Sequence, residues 1–212
     1  MQWTLVIPLK PLPQAKSRLA DTAGDGVRPG LALAFAQDTV AAALACPAVA
    51  DVAVVTDDEL AARELAALGA RIVPDVPRSG LNAALAYGTA VVREIRPGTP
   101  VAALNADLPA LRPAELSRVL AAASEFPRAF LADAAALGTT LLAAAGDHAL
   151  RPAFGLDSRV RHRASGAREL GLTGVDSVRQ DVDTGADLRA ALALGVGRRT
   201  AAVSAGLLIP GN

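Results

Sequence analysis

The chain has 212 residues, 52% of them hydrophobic and 20% charged, with a formal net charge of zero. That is long enough to bury a full core, and the composition argues against disorder. Zero net charge argues against bulk binding to nucleic acid or to an anionic membrane, so any anion site has to be local.

The single cysteine, Cys46, argues against an internal disulfide and a cysteine-based zinc cluster, and in "LACPAV" it reads as a packing residue. The opening "MQWTLVIPLK" lacks the basic start and long apolar stretch of a signal peptide. Every apolar run is broken before the roughly 20 residues that cross a bilayer. One cytoplasmic domain over 1–212, with no membrane and no nucleic-acid partner, is the expectation.

The predicted elements alternate. A buried strand over 3–9 comes first, then a helix over 30–45 and a Val-rich strand over 52–56. A helix over 58–69 follows, with Asp57 as predicted N-cap and Gly69 beyond its C-terminus. Next come a strand over 70–75, a helix over 81–95, a strand and loop over 100–109, and a helix over 113–124 opened by Pro113. "RAFLAD" (128–133) and "TTLLAA" (139–144) are predicted to pair as strands. Residues 148–166 read as a long polar, glycine-containing loop, and 178–195 as a short strand running into a last helix.

This order predicts an α/β fold: a mostly parallel, Rossmann-like sheet with helices on both faces. Ligands in such sheets bind beyond the carboxyl ends of the strands. The loops "KPLPQAKSRLA", "TDDE" and "NADLPAL" are then the places to search.

Several residues there carry usable chemistry. Lys10, Lys16 and Arg18 put three cations into a proline-stiffened loop, suited to a polyphosphate, although a solvated surface loop has the same composition. Neither G-x-x-x-x-G-K-[ST] nor G-x-G-x-x-G occurs, which weakens ATPase and dinucleotide-binding readings. Asp107 stands where an apolar strand stops; it is either a magnesium ligand or a turn residue before Pro109. Asp181 and Asp183 alternate, so they share a face in extended chain, and Thr184 with Asp187 fits a capping box. Gly80 and Asn82 permit close backbone approach and offer a donor and an acceptor to a base or ribose edge, or else they open a helix with Ser79 or Asn82 as cap. Gly138, Thr139, Thr140, Gly155 and Ser158 supply hydroxyls and N–H groups for a small carboxylate or phosphate. Arg159, Arg161 and Arg163 lie beside them, some expected to face solvent. His148 and His162 are too far apart for a local metal motif, and His148 reads as a surface residue.

"VIPLKPLPQAKSRLA", "NADLPAL", "GTTLL", "FGLDSRVRHRASGA" and "QDVDTGADLRAALALGVG", in this order over nearly the whole chain, resemble the 2-phospho-L-lactate / phosphoenolpyruvate guanylyltransferases of coenzyme F420 biosynthesis. The resemblance implies the nucleotide-diphospho-sugar transferase fold, with the usual glycine-rich opening loop replaced by the proline and lysine loop. It implies that Lys10, Lys16 and Arg18 clamp the triphosphate of GTP and act catalytically, and that Gly80 and Asn82 bind the nucleotide. It implies that Asp107 and Asp183 hold Mg2+ with Asp181 as a helper, and that Thr140, Gly155 and Ser158 bind phosphoenolpyruvate. The reaction would be in-line attack of an acceptor phosphate on the α-phosphorus of GTP, with no general base. Phosphoenolpyruvate, 2-phospho-L-lactate and 3-phosphoglycerate all fit such a pocket; the alanine- and arginine-rich composition favours phosphoenolpyruvate. A labile product passed to the next F420-pathway enzyme is a further implication. Two rivals stay open: a molybdenum-cofactor or sugar nucleotidyltransferase of the same fold, and a non-catalytic nucleotide-binding module.

Overall fold

Seven strands form one sheet in the order β3-β2-β1-β4-β6-β5-β7. They are β1 (Trp3–Pro8), β2 (Val49–Val55), β3 (Arg71–Val73), β4 (Val101–Leu104), β5 (Arg128–Ala132), β6 (Thr139–Ala144) and β7 (Arg168–Glu169). The structure is a computed structural model that describes residues 1–19 and 26–207; Ala20, which ends the quoted basic loop, lies outside them. β1 pairs in parallel with β2 and β4, β2 with β3 and β5 with β7, while β6 runs antiparallel to both β4 and β5. The predicted mostly parallel α/β sheet is therefore what the chain forms.

The strands alternate between two apolar layers, as a sheet covered on both faces requires. Leu5, Ile7, Val52, Val54, Ala102 and Leu104 face one layer, which holds Ala36 and Val40 of α1 (Arg28–Leu44), Leu65 of α2 (Glu59–Ala66) and Leu116 and Leu120 of α4 (Pro113–Ala123). Val6, Ala53, Val55 and Ala103 face the other, against Leu85 and Val92 of α3 (Leu81–Ile95). Gly88 brings α3 down onto the sheet: a Cβ there would stand 2.5 Å from Val55 Cγ2 and 2.9 Å from Val6 Cγ1. Cys46 is buried in the first layer, as a packing residue should be.

Several expectations need correction. Asp58, not Asp57, caps α2, its Oδ1 accepting the Ala61 N–H at 3.0 Å; Asp57 instead pairs with Arg78 at 2.8 Å. The N-cap of α3 is Gly80, with no side-chain cap from Ser79 or Asn82. Residues 148–166 are not all loop, because α5 (Ser158–Ala164) lies within them. The strand expected from 178 is instead a short helix, α6 (Asp176–Arg179). The predicted last helix, α7 (Gly185–Leu194), is followed by α8 (Arg198–Ala205).

Candidate active site

The strand order turns between β1 and β4, the point at which open α/β sheets bind ligands beyond the carboxyl ends of their strands. The basic loop leaves β1 there. Leu12 and Leu19 are buried and anchor two 3-10 turns, Leu12–Gln14 and Ser17–Leu19. Asp58 Oδ2 accepts the Leu12 N–H at 2.8 Å, and Arg28 donates to the carbonyls of Pro13 and Ala15 at 3.0 and 2.6 Å. Held from both sides, the loop has lost its freedom before any ligand arrives.

Lys16 takes the left-handed region, φ +57°, uncommon for a residue with a Cβ and typical of functional strain. Its ammonium donates to Asp107 Oδ2 and, at 2.8 Å, to Asp183 Oδ1. Two loops distant in sequence deliver those carboxylates. The Leu108 N–H donates to Thr39 Oγ1, buried in α1, at 3.0 Å, fixing the loop after β4. The Val182 N–H donates to the Asp107 carbonyl at 3.1 Å and stitches the turn before α7 to that loop. Thr184 and Asp187 complete the predicted capping box on α7, so Asp183 sits at a defined helix entrance.

The electrostatics follow from this packing. Burial alone would push the Lys16 ammonium down, but Asp107 and Asp183 outweigh it and hold the pKa above the ordinary lysine value. Burial would raise Asp183; Lys16, with Arg18 and Lys10 further out, instead holds it below the usual carboxylate range. Lys10 and Arg18, both exposed, therefore act on the same site as Lys16. At Asp181 the Lys16 charge is outweighed. Burial, then the charges of Asp107, Asp183 and Asp133, push it up to about 8, and its Oδ2 accepts a long bond from Asn105 Nδ2 at 3.4 Å.

Among the described residues, two buried polar atoms on this edge have no hydrogen-bond partner: Asp107 Oδ1 and Thr140 Oγ1. An orphaned carboxylate oxygen in a buried position costs about 1–3 kcal/mol, which a cation or ligand would offset. The Lys16 ammonium stands between Asp107 and Asp183, where positive charge is favoured. Among the described residues no group of three or more His, Cys, Asp and Glu could hold a metal. Two carboxylates completed by substrate oxygens are the donor set a magnesium-type cation accepts.

Because β6 runs antiparallel, its first residues lie at the same edge as the last residue of β4. The Asn105 N–H donates to the Thr140 carbonyl at 3.0 Å, and Thr140 is fully buried. Ser158 opens α5, is buried, and binds the Gly155 carbonyl through its N–H at 3.1 Å. Gly155 has φ +108°, a conformation a side chain would resist. Asn82 reaches this loop directly: its Oδ1 accepts the Phe154 N–H at 2.8 Å, and its Nδ2 donates to the Phe154 carbonyl at 3.1 Å. The nucleotide-side and acceptor-side candidates are thus in contact. Gly80, with φ +92°, is exposed just before Asn82.

Of the three arginines, Arg159 and Arg163 are committed to Glu169, and Arg161 donates to the Phe154 carbonyl at 3.1 Å. His148 is exposed, as expected. Sequence reasoning missed Arg28, Asp58, Thr39, Asn105 and His162. Each acts through a partner remote in sequence, and only an alternation or spacing signal would have exposed it; none of the five carries one.

The family model "Guanylyl transferase CofC like" matches residues 3–203. The chain is 80% identical over 211 residues to a phosphoenolpyruvate guanylyltransferase of Streptomyces avermitilis, covering 100% of this chain and 98% of that protein. It is 77% identical over 212 residues to one of Streptomyces coelicolor, covering 100% of both. Among solved structures, a candidate nucleotide-diphospho-sugar transferase from Desulfovibrio desulfuricans G20 aligns with TM-score 0.67 at 17% identity, covering 98% of this chain and 97% of that one. A Mycobacterium tuberculosis H37Rv protein solved in complex with manganese aligns with TM-score 0.54 at 19% identity, covering 91% and 99%. The two structures share the fold alone, but the family model and the relatives carry more: the chain belongs to the CofC-like guanylyl transferase family.

Proposed function

We propose that the chain transfers GMP from GTP to the phosphate of phosphoenolpyruvate, giving enolpyruvyl-2-diphospho-5′-guanosine and pyrophosphate in coenzyme F420 biosynthesis. One observation carries the chemistry: Lys16 between Asp107 and Asp183, beside a buried Asp107 oxygen with no partner among the described residues. The acceptor rests on the names of relatives at 80% and 77% identity. 2-Phospho-L-lactate is the second candidate acceptor. The missing glycine-rich loop weighs against a molybdenum-cofactor or sugar nucleotidyltransferase.

In this reading, 1–212 is one cytoplasmic nucleotidyltransferase domain. Lys10, Lys16 and Arg18 neutralise the triphosphate and the departing pyrophosphate, which is the main barrier when both reactants are anions. Gly80 lets the nucleotide approach the backbone, and Asn82 keeps one amide hydrogen and one lone pair for the same ligand beyond its bonds to Phe154. Thr140, Gly155 and Ser158 receive the acceptor. Asp107 and Asp183 would hold a divalent cation, Mg2+ in our reading, which when bound supplies charge neutralisation across the phosphates. The acceptor phosphate is already ionised near pH 7, so its oxygen attacks without a base. No helix among the described residues is long and apolar enough to cross a membrane. The enolpyruvyl product is labile, and direct transfer to the next F420-pathway enzyme would protect it.

The test is to incubate the protein with GTP, Mg2+ and, separately, phosphoenolpyruvate, 2-phospho-L-lactate and 3-phosphoglycerate. Pyrophosphate release and product masses are followed, with a consuming partner enzyme present. The expected product is the GDP-linked acid from phosphoenolpyruvate. Pyrophosphate from none of the three, with GTP binding intact, would refute the proposal.

A further inference from the structure

His162 is fully buried in α5, between two rings and two polar partners. Its Nε2 accepts the backbone N–H of Ala153 at 3.0 Å. A ring nitrogen that accepts carries no proton, so the neutral ring holds its proton on Nδ1. That Nδ1–H donates to Thr139 Oγ1 at 2.9 Å. Phe154 meets the ring edge-on at 5.0 Å between centroids, and Phe130 lies at 5.8 Å. The charged groups acting on the ring are Arg128 from β5 and Arg161 from α5; burial first, then these two cations, push its pKa down to about 4. Protonation would set an N–H against the Ala153 N–H. On the other side of the same loop, both polar atoms of the Asn82 amide grip the Phe154 peptide groups.

We infer that neutral His162 and Asn82 are positioning residues that clamp Ala153–Gly155 from two sides, so that the acceptor pocket is assembled against the nucleotide-side helix α3. Neither residue needs to touch the reacting atoms. His162 ties the loop to the start of β6, beside Thr140; Asn82 ties it to the start of α3, beside Gly80. The inference rests on the proposed reading in taking Thr140, Gly155 and Ser158 as the acceptor pocket.

The chain has two histidines, His148 and His162. Long-range proton–nitrogen spectra of the full 15N-histidine-labelled chain at pH 5.5 therefore contain two ring systems, and His162→Gln assigns one by its loss. The His162 ring should be neutral with the proton on Nδ1. A protonated His162 ring at pH 5.5, or a neutral ring protonated on Nε2, would overturn the clamp.

Kinetics then test its purpose. His162→Leu, which keeps bulk but loses both bonds, should raise the phosphoenolpyruvate KM about tenfold, with kcat within threefold; Asn82→Ala, which also removes the amide offered to the nucleotide, should raise the phosphoenolpyruvate KM and the GTP KM together. His162→Gln, which keeps an acceptor for Ala153, should return the KM to within threefold of wild type. Equal losses in His162→Leu and His162→Gln, or a fall in kcat with the acceptor KM unchanged, would overturn the positioning role. If wild type forms no product with any acceptor, the reaction reading fails, while the tautomer result still decides the clamp.

Discussion

Lowering the pH from 7 to 5 should cost the folded chain about 2 kcal/mol through His162 alone. The ring's pKa falls from the ordinary 6.5 to about 4 on folding, because burial and the Arg128 and Arg161 charges oppose the imidazolium. A depressed histidine pKa means that, between those values, the unfolded chain binds a proton the folded chain refuses. Its contribution is fully present above pH 6.5, is lost as the pH falls toward 4, and then levels off. The ratio of proton-binding factors for the two states gives about 2 kcal/mol lost by pH 5 and about 3 kcal/mol by pH 4. For a chain this size, 2 kcal/mol is roughly 4–8 °C in Tm. Urea unfolding of wild type and His162→Gln at pH 7, 6 and 5, in chelator, isolates the effect, because carboxylates such as Asp183 titrate in both proteins. The variant should be the less stable at pH 7, with the gap narrowing by about 2 kcal/mol at pH 5. A gap constant across pH would refute a neutral buried imidazole.

Asp107→Ala should reduce pyrophosphate release at least about 10³-fold while the far-UV circular dichroism stays unchanged. An active variant would remove Asp107 from the cation site. Ser158→Ala should raise the acceptor KM more than the GTP KM, measured by varying each at saturation of the other; equal increases would place the acceptor elsewhere. Asp181→Asn removes a buried carboxyl that burial and like charges disfavour, so thermal melting of metal-free protein at pH 8 should rise by a few degrees, about 1 kcal/mol. Gly88→Ala should destabilise by about 1–3 kcal/mol, since its Cβ would overlap Val55 and Val6; Gly30→Ala in α1, with nothing within 4 Å, should be neutral or stabilising in the same urea titration.

The first half of the fold was legible because its signals are local. α3 runs over Leu81–Ile95, the span its pattern predicts, and Pro113 opens α4 as expected. α8 was missed for the opposite reason. Its N-cap is Gly197, which has no side chain, and the N–H groups of Arg199 and Thr200 are accepted at 3.3 and 2.8 Å by Asp38, buried in α1. A cap supplied from so far along the chain leaves no mark in the flanking sequence. α5 hides similarly: Asp157 before it is left-handed, φ +55°, and gives no side-chain cap. The strand expected from residue 178 failed because "VRQD" holds a single apolar residue, too little to separate strand from helical turn, and Ser177, bonded to Glu115, holds the turn in place. Of the charged residues that the structure brings together, Lys16 and Asp107 were legible from their place beyond β1 and β4, and Asp183 from the capping box that follows it. The roles of Asn82 and His162 were not, because an amide and an imidazole that bind the backbone of a distant loop look, in sequence, like any helix-opening and helix-interior residues.

In the proposed reading, the basic loop would meet the phosphates differently from a glycine-rich one. A glycine-rich loop offers backbone N–H groups, which need close approach and small residues. Here the prolines and the bonds from Asp58 and Arg28 fix the backbone, and the loop offers side-chain charge instead. Side-chain cations gathered at one edge of a neutral protein repel one another unless carboxylates lie among them. Asp107 and Asp183 supply that compensation through Lys16, and the same two oxygen sets are what a divalent cation would take. In that reading, charge balance in the ligand-free protein and cation binding in the working enzyme would call for the same two aspartates, which would make the loop and the carboxylates one device although 167 residues separate Lys16 from Asp183.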